Sequence, residues 1–282
     1  MLSCLFTIPI LSKGGTTLDF TFIFILGLLI GSFLNVCIYR LPQNESIVFP
    51  PSHCMACGNE LKALDLVPVL SYFVLQGKCR FCKTSISPRY AGMELLTVFL
   101  FLFTYYQVGL GLELLKALIF ISFLVVITFI DYDHQLILDK VLLPMGIVGV
   151  LINLLFEHSD LITDLGLLSF SLLVNPLEWL SMGIGFFVGG GLLFIIAMVS
   201  GGGMGGGDIK FAAVLGLWLG WQMNLLVLML AFILGGIVGV LLIATRIKSR
   251  KDYIPFGPFI AISAWIVYIY GIEILQWYFS LT

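Results

Sequence analysis

The chain has 282 residues, of which 60% are hydrophobic and only 11% are charged, and its formal net charge is −2. A water-soluble domain of this size needs far more charge on its surface, so these values exclude a soluble globular fold. The chain also has no basic tail or Lys/Arg block, which argues against nucleic acid as a partner.

Apolar runs near twenty residues long recur along the chain and are long enough to cross a bilayer as helices. The sequence therefore predicts an all-α polytopic membrane protein with about eight transmembrane helices, whose partner is the lipid bilayer. The expected spans are 20–39, 90–108, 112–130, 141–156, 180–199, 209–221, 224–245 and 256–278.

The predicted domains follow from these spans. Residues 1–19 have no positive n-region before their apolar stretch, so they do not resemble a signal peptide. We expect them to form a short extracytoplasmic segment. Residues 20–39 form the first transmembrane helix, 40–89 a polar loop, and 90–282 a membrane-embedded domain. An apolar piece at 165–174 is too short to span, so we expect a surface-lying or re-entrant helix there.

The positions of the Lys and Arg residues predict the orientation. If the 40–89 loop is cytoplasmic and the spans alternate, twelve of the 14 Lys and Arg residues lie inside, and only Lys13 and Lys116 lie outside. Both termini are then extracytoplasmic.

The 40–89 loop carries two Cys-x-x-Cys pairs, Cys54 with Cys57 and Cys79 with Cys82, separated by 21 residues. This spacing is typical of a structural four-cysteine zinc site, slightly longer than usual. A reducing cytoplasm favours metal binding over disulfides, although a redox role is the alternative. A loop with so small a hydrophobic core needs a metal crosslink of this kind to stabilise its fold.

Two acidic clusters lie at cytoplasmic helix ends. In "FIDYDHQLILDK", Asp131 follows an apolar run, whereas Asp133 is about 200° away around a helix and is expected in the headgroup region. For Asp133 and Asp139, a solvated carboxylate is the favoured interpretation.

In "GGGMGGGDIK", six glycines precede Asp208 at the start of a span that is too short to cross a full bilayer. Asp208 could simply cap that helix. The glycine content instead predicts a recessed loop facing a cavity, in which Gly205, Gly207 and Lys210 line a groove for an extended substrate.

A convergent pair of membrane carboxylates cannot easily ionise together, so one keeps its proton while the other acts as a base. Asp131 and Asp208 are therefore predicted to activate a water molecule that attacks a peptide bond. Glu94, inside the start of the second span, is expected to face the bundle and find a partner. For Pro255 and Pro258 in "IPFGPF", an ordinary helix start explains the prolines as well as a functional role does.

These motifs together resemble the type IV prepilin peptidases, a family of membrane aspartic proteases that also act as N-methyltransferases. The matching motifs, in family order, are Gly31–Asn35 with Arg40–Pro42, the two cysteine pairs, Arg89-Tyr90 with Glu94-Leu95, Ile130–Asp133, Gly203–Lys210 and Pro255–Pro258. The chain departs from the usual pattern at Ile137-Leu138-Asp139, where the family has Leu-Pro-Asp, so Asp139 receives no role.

The resemblance implies that Asp131 and Asp208 are the catalytic pair. The substrates would be type IV prepilins and type II secretion pseudopilins, whose short basic leader is cut at the cytoplasmic face of the bacterial inner membrane. The new amino terminus would be methylated from S-adenosylmethionine, for which Glu94 is the candidate contact. Methylation is implied by the resemblance alone.

Two other classes share some of these features. A proton- or ion-coupled transporter also pairs membrane carboxylates with broken helices, but its acids lie near the midplane. A non-catalytic zinc-bearing assembly factor would explain the cysteines without explaining the glycine-rich loop before Asp208.

Overall fold

The structure is a computed structural model that describes residues 16–156, 176–249 and 254–280, and within these ranges the fold is helical apart from two isolated β-bridges. The predicted segment 1–19 lies largely outside these ranges. The apolar stretch 165–174, predicted to lie on the membrane surface or re-enter it, is wholly outside them.

The helices of the described ranges follow the predicted apolar runs closely. They are α1 (Thr17–Arg40), the short α2 (Leu70–Val74), α3 (Arg89–Val108), α4 (Leu112–His134), α5 (Asp139–Phe156), α6 (Pro176–Val199), α7 (Gly206–Ala244) and α8 (Gly257–Ser280), with a 3₁₀ turn at Ala63–Leu66 before α2. Thr16 and Asp19 form a capping box that begins α1 a few residues before the predicted start.

The count of eight spans is not confirmed. Six helices among the described residues are long and apolar enough to cross a membrane, namely α1, α3, α4, α6, α7 and α8. The long helix α7 covers two of the predicted spans, 209–221 and 224–245. The chain is therefore a multi-pass, all-helical membrane protein with fewer established spans than expected.

Helix α7 reverses direction at Gly220, whose φ of 73° and ψ of 177° are not helical. The amide of Asn224 donates hydrogen bonds to the carbonyl oxygens of Ala212 (2.9 Å) and of Gly185 in α6 (3.1 Å). Asn224 and Ala212 would be about 18 Å apart along a straight helix, so the two arms of α7 must fold back on each other. The first arm, from Gly206 to Leu219, is only about 21 Å long.

Helix α4 lies at the centre of the bundle. Its inward face is fully buried through Ala117, Phe120, Ile121 and Ile127. Helices α1, α3, α5 and α8 all pack against it. This packing fixes the last turn of α4, in which Asp131 lies.

Helices α1 and α3 approach closely because α1 presents glycines four residues apart, at Gly27 and Gly31. A Cβ at Gly31 would lie 2.9 Å from the Glu94 Cα, and one at Gly27 would lie 2.9 Å from the Val98 Cα. Small residues at this spacing are a common means of packing membrane helices.

We expect Gly31→Leu to destabilise the protein by about 1–3 kcal/mol, since the new side chain must displace the α3 backbone. Unfolding in mixed detergent micelles measures this change. Gly92→Leu is the matched control, because a Cβ at Gly92 meets no atom within 4 Å. Equal stability of the two variants would contradict the packing argument.

Candidate active site and metal-binding loop

Asp131 lies in the last turn of α4, and its side chain is buried, with the residue only 2% exposed. The helix ends three residues later, where Gln135 adopts a left-handed conformation and its N–H bonds the Asp131 carbonyl oxygen. The Asp131 Oδ2 accepts a hydrogen bond of 3.0 Å from the backbone N–H of Gly257, the first residue of α8. The last turn of α4, the left-handed Gln135 that ends it and the first residue of α8 therefore together position the Asp131 carboxylate.

Asp208 lies in the first turn of α7 and is 4% exposed. The helix begins at Gly206, with Gly205 as its N-cap residue and no side-chain capping bond. Asp208 is thus inside the helix rather than before it, which removes the simple capping interpretation.

The two aspartates lie at neighbouring helix ends, the last turn of α4 and the first turn of α7. Asp131 and Asp208 are near enough to interact electrostatically. The start of α7 packs closely against the segment that follows α4. A Cβ added at Gly207 would lie only 2.8 Å from the Ile137 Cβ, which shows how near the two segments are. Helix α8 packs against both α4 and α7, the two helices that carry the aspartates.

Such a pair can carry out acid–base chemistry. Two neighbouring carboxylates in a poorly solvated site favour a state in which they share one proton. The ionised member can take a proton from water while the protonated member donates one, as aspartic proteases require. The Gly257 N–H holds the Asp131 carboxylate in its observed orientation.

Asp133 faces away from this pair, as the helical spacing predicts. Arg89 forms a bidentate ion pair with it, with an Nη1–Oδ1 distance of 2.9 Å, and also lies over the Phe129 ring. This contact joins the start of α3 to the end of α4. Asp133 is therefore a structural partner of Arg89 in this arrangement.

Lys210 is paired within the protein. Its Nζ lies 2.8 Å from both carboxylate oxygens of Asp139, at the start of α5, although both side chains are well exposed. Lys210 also lines an apolar groove of about 930 Å³ between α5, α6 and α7, on the face of α7 opposite Asp208. Its role in a substrate groove stays a prediction.

The six glycines before Asp208 have different roles. Gly201 and Gly202 have φ values of 65° and 95°, and the Gly202 N–H bonds the Ala197 carbonyl oxygen to end α6. Gly205, with φ of −68°, needs no left-handed conformation. Gly207 contacts Ile137, so the close approach that it permits is one within the protein. Its contact with substrate, like that of Gly205, stays a prediction.

Glu94 finds a partner, as expected for a buried membrane carboxylate. Its Oε2 accepts a hydrogen bond of 2.7 Å from the Val69 N–H in the 40–89 loop. This contact joins α3 to the loop. It engages the carboxylate in a structural role, and a contact with S-adenosylmethionine stays a prediction.

The two cysteine pairs form two similar knuckles. In each knuckle a β-bridge joins the residue before the first cysteine to the third residue after the second, His53 with Glu60 and Lys78 with Ser85. The residue after the second cysteine has a positive φ in both, at Gly58 and Lys83. The pseudo-symmetry brings the four thiols together.

The sulfur atoms of Cys54, Cys57, Cys79 and Cys82 all lie within 4.8 Å of one another, and Cys54 and Cys82 are 3.7 Å apart. A tetrahedral zinc with four thiolates at about 2.3 Å separates its ligand atoms by about 3.8 Å, so the cluster fits this ion. Hydrogen bonding with Thr84 lowers the pKa of the Cys82 thiol to about 6, which favours the thiolate. No disulfide involves these four residues.

An ion pair between the exposed Arg80 and the buried Asp65 ties the second knuckle to the rest of the loop. Arg80, between Cys79 and Cys82, donates a hydrogen bond of 2.7 Å from Nε to the Asp65 Oδ1, in the 3₁₀ turn before α2. The Arg80 guanidinium holds the pKa of Asp65 below its usual range. Assembly of the knuckles thus also positions the segment that leads to α2.

Sequence reasoning missed one residue of the site, Gly257. It contributes a backbone N–H and space for a carboxylate, neither of which leaves a side-chain signal. In the sequence, only the nearby prolines, Pro255 and Pro258, stood out. Pro258 occupies the second helical position of α8 and helps begin that helix beside Asp131.

Two family models match the chain. Residues 25–108 match the bacterial peptidase A24 N-terminal domain, and residues 118–240 match the type IV leader peptidase family. The first match covers α1, the knuckles and α3, and the second covers the helices that carry both aspartates. No solved structure matches the chain significantly.

The curated relatives share one name, prepilin leader peptidase/N-methyltransferase. The Aeromonas salmonicida protein is 35% identical, over 96% of this chain and 97% of its own length. The Pseudomonas aeruginosa protein is 32% identical over 90% and 91%, and the Bacillus subtilis protein is 32% identical over 92% and 97%. These relatives give no support to the transporter interpretation. The chain belongs to the type IV leader peptidase family.

Proposed function

We propose that the protein is an aspartic endopeptidase that removes the short basic leader from type IV prepilins and type II secretion pseudopilins. The observation that carries this proposal is the buried pair of Asp131 and Asp208 at adjoining helix ends. The relatives named above are prepilin leader peptidases, which supports the same substrate class.

In the proposed reaction, one carboxylate takes a proton from water, whose oxygen attacks the carbonyl carbon of the scissile peptide bond. The other carboxylate, initially protonated, donates a hydrogen bond to the carbonyl oxygen. The proton taken from water then moves to the leaving nitrogen as the C–N bond breaks. The Gly257 N–H keeps Asp131 oriented throughout.

Four basic residues support a cytoplasmic active site in the bacterial inner membrane. Arg40, Arg89, Lys140 and Lys210 lie at the same helix ends as the aspartates, and three of them make contacts between segments there. Arg89 bonds Asp133, Lys140 bonds Asn44, and Lys210 bonds Asp139. A face so rich in Lys and Arg is expected in the cytoplasm.

The proposed second activity is methylation of the new amino terminus, with S-adenosylmethionine as the methyl-donating substrate. The support is the printed name of the relatives. Glu94, the predicted contact, is engaged by the Val69 N–H, so no step of methyl transfer is derived from it.

One experiment tests both activities. The protein is co-expressed with a prepilin in cells that lack their own prepilin peptidase, and the pilin is analysed by mass spectrometry. We expect loss of the leader together with one added methyl group on the new amino terminus. The matched control is Asp208→Asn, which should leave the prepilin intact. An unprocessed prepilin beside well-inserted wild-type protein would overturn the proposal.

Zinc is the proposed structural metal, held by Cys54, Cys57, Cys79 and Cys82. When bound, it would supply a crosslink between the two knuckles and no catalysis, because four protein ligands leave no open position. The support is the spacing of the four sulfurs.

We expect Cys54→Ser and Cys82→Ser each to lower the zinc content of the purified protein from about one ion per chain and to reduce its amount in membranes. Each variant removes one ligand from a closed site. Cys37→Ser is the control, since Cys37 is buried in α1 away from the cluster. Wild-type protein that contains no zinc and has disulfide-bonded knuckles would contradict the proposal.

A further inference from the structure

The 40–89 loop exposes an apolar surface that the proposed reaction does not use. Leu70, Phe73 and Val74, three and four residues apart on α2, are 62%, 66% and 78% exposed. Leu64 and Leu66 of the preceding 3₁₀ turn are exposed as well. We refer to these five residues as the loop patch. Apolar side chains grouped in this way on a polar loop indicate an interaction surface.

The loop patch lies at the boundary of the membrane domain. The Val69 N–H, directly before α2, is 2.7 Å from the Oε2 of Glu94, in the second turn of α3. Helical side chains lean toward the helix N-terminus, so Glu94 reaches back toward the first turn of α3. The start of α2 is therefore held at the depth of that first turn.

The surface beside this contact already faces lipid. Leu95 and Phe99, which follow Glu94 on α3, are exposed on the outside of a helix that is long and apolar enough to span the membrane. The loop patch is thus held beside a lipid-facing helix, at the level where a bilayer has its headgroup and upper acyl region. That is the depth at which amphipathic segments lie in a membrane interface.

The remainder of the loop holds the patch in this position and suits the same environment. The Arg80–Asp65 ion pair ties the 3₁₀ turn to the second knuckle, while Glu94 holds Val69 from the membrane side. Residues 40–89 carry six Lys or Arg residues against three Asp or Glu residues. An excess of positive charge favours contact with anionic headgroups.

We propose that the loop patch is inserted in the interface of the bilayer that the protein spans, so that α2 is an interfacial helix. It anchors the metal-binding knuckles to the membrane surface beside the helix ends that carry Asp131 and Asp208. The occupant of the patch is phospholipid. This inference does not depend on the proposed peptidase activity.

Site-specific photo-crosslinking tests the inference in intact membranes. The photoreactive amino acid p-benzoylphenylalanine replaces Leu70 or Phe73 one at a time, and the protein is irradiated, purified and weighed by mass spectrometry. The expected product at both positions is the protein plus one phospholipid. Phe99 provides the lipid-facing reference, and Glu60, exposed on the first knuckle outside the patch, provides the comparison.

We expect the lipid adduct at Phe73 to be comparable in yield to that at Phe99 and several-fold above that at Glu60. Crosslinks to a second copy of the chain or to a pilin, without a lipid adduct, would overturn the proposal, as would equal yields at Phe73 and Glu60. Because the inactive Asp208→Asn background should give the same adducts, the result is separate from the test of peptidase activity.

Discussion

Replacing either Asp131 or Asp208 by asparagine is expected to abolish leader cleavage while the protein remains inserted. Asparagine has nearly the same shape as aspartate, and at position 131 its side-chain oxygen can still accept the Gly257 N–H. Neither variant can exchange a proton with water, and acid–base groups contribute about 10²–10⁴-fold to rates. The measurement is the rate of prepilin processing in membranes, normalised to inserted enzyme.

The double variant should be no slower than the slower single variant, because two residues that act as one unit do not contribute independently. Additive losses would indicate that the two carboxylates act in separate steps.

Asp133→Asn is the matched control for this prediction, since it makes the same change two residues from Asp131. Asp133 is engaged by Arg89 on the other side of α4, and the amide oxygen can still accept one of those hydrogen bonds. Substantial activity should therefore survive. Complete loss with Asp133→Asn, together with normal activity of Asp131→Asn, would reverse the assignment of the catalytic pair.

The helices were predictable because each apolar run is long and bounded by polar residues. The turn within α7 shows the limit of that reasoning. A single glycine, Gly220, separates the two arms, and the bond from Asn224 to the Ala212 carbonyl oxygen depends on their folding together. Hydropathy therefore correctly suggested two segments here, but the number of true crossings depends on tertiary contacts that a one-dimensional pattern does not contain.

Candidate site residues could be identified from the sequence where they are side chains that are unusual in a membrane. Asp131 and Asp208 are the clearest examples, and the spacing of the four cysteines predicts a cluster that the structure forms. The partners of other charged residues were not predictable. Lys210 pairs with Asp139 and Glu94 bonds Val69, and both contacts join segments that only the fold brings together.

The glycines before Asp208 show a further limit. Composition indicates an unusual backbone but not which residue needs it. The left-handed conformations occur at Gly201 and Gly202, where α6 ends, rather than at Gly205 or Gly207, which were predicted to line the substrate groove. A substitution at Gly201 should therefore strain the backbone, although this glycine is farther along the chain from Asp208.

Gly257→Val is expected to reduce leader cleavage by about 10²-fold or more, because a small displacement of a catalytic group is enough for such a loss. A Cβ at this position would lie 2.6 Å from the Oδ2 of Asp131 and 3.1 Å from its Cγ. No real Cβ tolerates that separation, so the carboxylate must move. Gly207→Val should act similarly, since its Cβ would lie 2.8 Å from that of Ile137 and shift the turn that carries Asp208.

The control for both glycine variants is Gly236→Val in the second arm of α7, where a Cβ would meet no atom within 4 Å. This variant should insert and process prepilin at close to the wild-type rate. Circular dichroism and the amount of inserted protein separate loss of positioning from loss of fold, and Gly257→Val should retain both. If Gly257→Val cleaves prepilin as fast as Gly236→Val, then Asp131 does not need the space that Gly257 leaves beside its carboxylate. In that case α8 would close the bundle without contributing to the active site.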